Sequence, residues 1–204
     1  MQKLLYTGIA VPVILAIAII SAGFAQPGYS HAKDLISLLG AKGAPLAGAV
    51  NGAFMISGLI MMVFAYGLHK ALPEGSVVGP ALIGLSGTGM VILGSFPCEP
   101  GCAADSLASN IHRIGARTVG FGMIFAVLFT TGRIPNKKLD LMGIAVVAIS
   151  GLLGLALTLI LLPGFVTLPI SWLESVQPGI LQRVSMGLPL LWLAVTGYWL
   201  AKKG

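Results

Sequence analysis

The 204-residue chain is 56% hydrophobic and only 9% charged, with a formal net charge of +6. Soluble domains carry about 25% charged residues, so this composition excludes a soluble globular enzyme and leaves little chain for a separate soluble domain. The basic excess does not point to nucleic acid, because it is spread over short loops beside apolar runs, the distribution that orients a membrane protein.

Six apolar runs follow one another: Leu4–Ala25, Leu46–Leu68, Gly79–Phe96, Gly115–Gly132, Leu141–Leu162 and Leu181–Ala201. A helix rising ~1.5 Å per residue needs about 20 residues to cover a ~30 Å hydrocarbon core. None of the runs holds an Asp, Glu or Lys, and their Arg residues sit at the ends. The expected fold is all-α: a polytopic integral membrane protein of six transmembrane helices, forming a single domain over residues 1–204.

The first run has a basic start and small residues Gly23 and Ala25 before Gln26, as a secretory signal would. Its apolar stretch exceeds the usual ~7–15 residues of a signal core, so it reads as the first span. Pro27-Gly28 ends it, and Lys33–Leu39 is amphipathic enough for a short interfacial helix. Gly43-Ala44-Pro45 leads into the second span, and Pro73-Glu74-Gly75 breaks the turn to the third. Pro97 stops the third, since proline has no N–H to continue a helix. Pro163-Gly164 ends the fifth span and Pro178-Gly179 precedes the sixth; the stretch Ile170–Leu173, with Trp172, suits a second interfacial segment. Pro12 and Pro189 lie inside spans as kinks. The pairs Gly48/Gly52, Ala116/Gly120 and Ser150/Gly154 are candidate contact faces. Asn51, Thr88, Thr158 and Thr196 are the modest polar groups within the spans, expected to bond between helices.

With the N-terminus inside, the cytoplasmic loops hold Lys3, Lys70, Arg133, Lys137, Lys138, Lys202 and Lys203, against Lys33, Lys42, Arg113, Arg117 and Arg183 outside. Seven against five places both termini in the cytoplasm by the positive-inside rule, in a prokaryotic cytoplasmic membrane. Asp34, Glu99, Asp105 and Glu174 then lie outside, and only Glu74 and Asp140 inside.

The outer loops carry the chemistry. Cys98 and Cys102 flank Glu99-Pro100-Gly101, a spacing that suits a small disulfide-closed loop on an oxidising face. Zinc held by Cys98, Cys102 and His112, with His31 or a carboxylate as fourth ligand, is a second reading, and two free thiols are a third. Tyr29, Ser30, His31 and Asp34 form another cluster, where an imidazole beside an acid suits acid–base work; the alternative is an interfacial helix capped by Ser30. Glu174, Gln182 and Arg183 form the third. Arg183 with Arg113 and Arg117 makes an anion site for a headgroup, or ion pairs with Glu99 or Asp105.

Pro27-Gly-Tyr-Ser, Ile36-Ser-Leu-Leu-Gly40, the Phe96-Pro-Cys-Glu loop with His112, and Gln182-Arg183 together resemble a family of bacterial and archaeal six-span membrane proteins, domain of unknown function 998. The resemblance covers nearly the whole chain. It implies six helices with polar residues clustered at one membrane face, and it brings no established substrate.

No acid or base lies deep in a span, which argues against an ion-coupled transporter with a midplane site. No His does either, which disfavours a bis-His haem, and no cofactor is implied beyond the zinc reading. Nucleotide, acylhydrolase and zinc-protease motifs are absent from the sequence. Three functions remain. The first is a binding or accessory protein whose outward-facing cup holds a lipid headgroup, a small molecule or a partner subunit. The second is an interfacial lipid-active enzyme in which His31 and His112 are the acid–base candidates, Asp34, Glu99 and Asp105 their helpers, and Arg113 and Arg183 a phosphate clamp. The third is a structural subunit of a larger membrane complex. Membrane lipids, partner subunits or further copies of the chain are the expected partners.

Overall fold

The computed structural model describes residues 2–102, 106–161 and 177–203. Among these it has six long helices: α1 (Gln2–Ala25), α2 (Ala47–Ala71), α3 (Val78–Ser95), α4 (Leu107–Thr130), α5 (Lys137–Ile160) and α6 (Pro178–Lys203). All six are long and apolar enough to cross a membrane. The shortest, α3 with 18 residues, still reaches about 27 Å. The chain is a polytopic helical membrane protein.

The helices form a ring in sequence order: each packs on the next, and α6 closes against α1. The interior is filled by Val11, Met61, Phe64, Ile83, Val127, Trp192 and Leu193. Large apolar side chains also point outward, Phe24, Leu107, Leu141 and Leu152 among them, as expected where lipid rather than water is the solvent. Burying apolar surface gains little there. Cohesion comes from close van der Waals contact between helices.

Glycine provides that contact. A Cβ added at Gly89 would stand 2.9 Å from the Gly115 carbonyl oxygen, and one at Gly115 would stand 2.9 Å from that of Gly89. The two helices α3 and α4 therefore meet backbone to backbone. Gly87 is equally tight against Gly58 of α2, at 2.6 Å from its carbonyl oxygen. These are not the small-residue pairs expected from spacing alone. Gly48, Gly52 and Gly120 face nothing within 4 Å, and Gly154 meets only Ile124 at 3.7 Å.

Helix boundaries differ from the apolar runs where polar residues belong to a helix. α4 starts eight residues before its run, because Ser106 caps it by accepting from the Ser109 N–H at 3.1 Å. His112 and Arg113 are therefore helical. α5 starts at Lys137, capped by Asn136, whose Oδ1 accepts from the Lys138 N–H at 3.0 Å. Pro12 and Pro189 sit inside continuous helices. Thr88 and Thr158 donate to the Gly84 and Gly154 carbonyls of their own helices, not across to another. The expected interfacial helix over Lys33–Leu39 is replaced by a turn and a short 3-10 segment, Ile36–Gly40, with Ile36, Leu39 and Gly40 buried. The segment Ile170–Leu173 lies outside the described residues.

Replacing Gly89 with Val should lower stability by about 1–3 kcal/mol, because the added methyls collide with backbone that cannot retreat. Gly52→Ala should be near neutral. Thermal unfolding of both variants in one mild detergent measures the difference.

Candidate functional site

The 3-10 segment Ile36–Gly40 caps one end of the ring, and three helices hold it. Its first N–H, at Ile36, donates to Gln182 Oε1 of α6 at 2.7 Å. Its last carbonyl, at Gly40, accepts from Asn51 Nδ2 of α2 at 2.9 Å. Between them, Ser37 Oγ lies 3.1 Å from His112 Nε2 of α4. His112 Nδ1 lies 3.0 Å from the Phe96 carbonyl oxygen. A carbonyl only accepts, so Nδ1 carries the proton and Nε2 accepts from the Ser37 hydroxyl.

The loop after α3 locks onto the same cap. Cys98 and Cys102 are paired as a disulfide, their Cα atoms 4.9 Å apart. The Lys42 N–H donates to the Cys98 carbonyl at 3.0 Å, and the Cys98 sulfur touches the Ser37 carbonyl oxygen at 3.7 Å. Lys42 Nζ and Glu99 form an ion pair at 2.6 Å. Both side chains are exposed enough for solvent to screen it.

Arg183, one residue past Gln182, gathers the chain that precedes the cap. Its Nη1 donates to the carbonyls of Asp34 at 2.9 Å and Gly179 at 3.0 Å. Its Nη2 donates to the Tyr29 hydroxyl and to His31 Nδ1, the latter at 3.2 Å. The guanidinium also lies over the Tyr29 ring, 5.7 Å from its centroid. Burial pushes the Tyr29 phenol above its ordinary pKa, against the opposing pull of Arg183. The phenol therefore stays a neutral donor, to the Leu35 carbonyl at 3.2 Å. Among the described residues, the groups that Arg183 donates to are backbone carbonyls, a phenol and an imidazole nitrogen, none of them anionic. Among the described residues no carboxylate forms an ion pair with it, and its buried Nε has no hydrogen-bond partner. The Asp34 carboxylate is turned to the Ser30 N–H at 2.7 Å.

Beneath the cap lies a cavity of about 620 Å³, within the range of small-molecule sites. Its walls are apolar, with Leu15, Ile19, Met61, Met90, Val119 and Leu190 among them. Its polar end is made by His31, Ser37, Gln182 and Arg183. The α1 wall runs from Phe24 to Pro12, twelve residues and so about 18 Å. That wall includes Ile20, 51% exposed, and Phe24, 85% exposed, so these two residues border both the cavity and the surface of the ring.

The family described as protein of unknown function (DUF998) matches residues 9–199. The chain belongs to the DUF998 family. The match begins in α1 and ends in α6, and so takes in the cap, the Cys98–Cys102 loop and the cavity. No curated protein and no solved structure matches the chain.

Of the residues singled out from sequence, this DUF998 chain brings His31, Gln182 and Arg183 together at the cavity. Asp34 joins them through its backbone carbonyl. Glu99 pairs with Lys42 and not with Arg183. Arg113 bonds to Asn110 of its own helix, and neither Arg113 nor the exposed Arg117 lines the cavity. The cysteines, bonded to each other, offer no thiolate for the zinc reading, and His112 has both nitrogens on protein partners. Asp105 and Glu174 lie outside the described residues.

Asn51 and Ser37 escaped the sequence reading as members of this cluster. A signal was present. Asn51, His112 and Gln182 stand at the fifth, sixth and fifth positions of α2, α4 and α6, the three helices that start at the cap end. His112-Arg113-Ile114-Gly115 also echoes Gln182-Arg183-Val184-Ser185.

Gln182→Ala leaves the Ile36 N–H buried without an acceptor and should cost about 1–3 kcal/mol; faster hydrogen exchange at residues 36–40 is the local readout. Protein purified without reductant should take up no alkylating reagent at Cys98 or Cys102. Intact mass decides this: two added alkyl groups would mean that the loop is open.

Proposed function

We propose that this protein is a membrane-embedded receptor for an amphiphile with an anionic head. The tail lies in the cavity and the head sits at Arg183. The observation that carries this is a guanidinium with, among the described residues, only neutral partners and one buried donor unused, at the polar end of an apolar cavity. A cation in such surroundings is stabilised by any anion brought within reach, because the local dielectric is far below that of water. Arg is also suited to carboxylate and phosphate by its planar fork of donors. His31, which accepts from Arg183 through Nδ1, has its proton on Nε2 and supplies a second donor at the same end.

The proposed orientation puts the cap on the outer face of a prokaryotic cytoplasmic membrane. Two independent features support it: the lysine and arginine bias, seven against five, and a disulfide at the cap end, which persists in oxidising compartments. A membrane lipid is therefore the proposed partner. His112, an acid–base candidate of the enzyme reading, is tied up outside the cavity lining, so binding is the reading preferred over catalysis.

Protein extracted in mild detergent should carry anionic lipid or fatty acid enriched over the bulk membrane. Arg183→Gln should cut that enrichment at least ~10-fold, as losing a charge-assisted contact does. Arg117→Gln, exposed and away from the cavity, should leave it unchanged. Equal lipid content in wild type and Arg183→Gln, with both proteins folded, rejects the proposal.

A further inference from the structure

The glycines of the bundle differ in what surrounds them. At Gly87, Gly89 and Gly115 a side chain is excluded by the backbone of another helix. Two glycines in the cavity wall have no such reason. At Gly120 of α4 and Gly187 of α6, an added Cβ would meet nothing within 4 Å among the described residues, yet both line the cavity. Glycine inside a helix is less favourable than alanine by about 0.5–1 kcal/mol. At these two positions no close helix contact offsets that. What the missing side chains leave is open volume.

Their depths differ. Gly187 lies five residues beyond Gln182, and Gly120 eight beyond His112, and both reference residues bond to the cap. Along the helix axes this places Gly187 about 7 Å and Gly120 about 12 Å below the cap. The first is near the head end of the cavity and the second is halfway down or more.

Resting on the receptor reading above, we infer that Gly120 and Gly187 set the calibre of a slot for one hydrocarbon chain, so that the occupant is a membrane lipid or fatty acid placing a single acyl chain there. Two observations favour lipid over any other occupant. Ile20 and Phe24 of the α1 wall are exposed on the surface of an apolar span as well as lining the cavity, so the residues that border the cavity are also within reach of bilayer hydrocarbon. The polar end presents a cation that no carboxylate among the described residues pairs with, the complement of a carboxylate or phosphate head. A leucine at either glycine projects into the slot instead of into protein. Gly187→Leu blocks it near the head, and Gly120→Leu shortens it.

The test uses the full chain in mild detergent with radiolabelled octanoate and palmitate as probes, and with Gly52→Leu as a control on an open glycine outside the cavity. Wild type and Gly52→Leu should bind both acids. Gly120→Leu should keep octanoate and lose palmitate by at least ~10-fold, and Gly187→Leu should lose both by a similar factor. All four proteins should melt within a few degrees of one another. If both cavity variants bind octanoate and palmitate as wild type does, the slot is refuted while the role of Arg183 stands. A cavity variant that fails to fold also refutes it, since the space would then not be open. Wild type that binds neither acid and carries no anionic lipid brings down the receptor reading and this inference together.

Discussion

A stretch of backbone that leaves a helix at the end of a membrane bundle must find partners for its N–H and C=O groups inside the protein. Here that demand falls on five residues, Ile36–Gly40. Two side-chain amides from different helices meet the first N–H and the last C=O, and an imidazole from a third helix holds the Ser37 hydroxyl between them. Their burial at Asn51, His112 and Gln182 is affordable only because each has a specific partner. The arrangement fixes α2, α4 and α6 at the same distance from the cap. Arg183 follows Gln182 directly and gathers residues 29–34 by three hydrogen bonds, so the cation's place is a by-product of the same bracing.

The glycines below the cap play two parts. α2, α3 and α4 touch through glycine backbones, and Gly197 of α6 is as tight against the Leu5 carbonyl of α1, while α4 and α6 also carry open glycines in the cavity wall. Both behaviours come from the same residue type. Where two helices present glycine at the same height, they close on each other. Where the neighbour is absent, the glycine leaves a void. In a membrane such a void is filled by hydrocarbon at little cost, whereas in water an unfilled apolar cavity of this size would be strongly destabilising.

The spans and the membrane class were legible because apolar run length is set by bilayer thickness and survives without an alignment. Their ends were less so. α4 looked short because Asn110, His112 and Arg113 are polar, yet they belong to the helix; a hydropathy reading cannot tell a polar loop from a helix that carries its polar groups to a cap. The proximity of His31 and Arg183, 152 positions apart, was expected only as a shared loop face. Which glycines close and which open depends on the relative rotation of neighbouring helices, and spacing along one helix does not encode that. Gly48, Gly52 and Gly120 fit a small-residue pattern and face open space.

Each helix packs on its neighbours in the chain, so the first five can associate in sequence order. Closure waits for α6. That last helix supplies Gln182, Arg183 and the Gly187 wall together, and it alone joins the beginning of the ring to the end. Without α6 the cap would keep Asn51 and His112 but lose Gln182 and Arg183, and the cavity would lack one wall. The cation and that wall arrive together, on one helix.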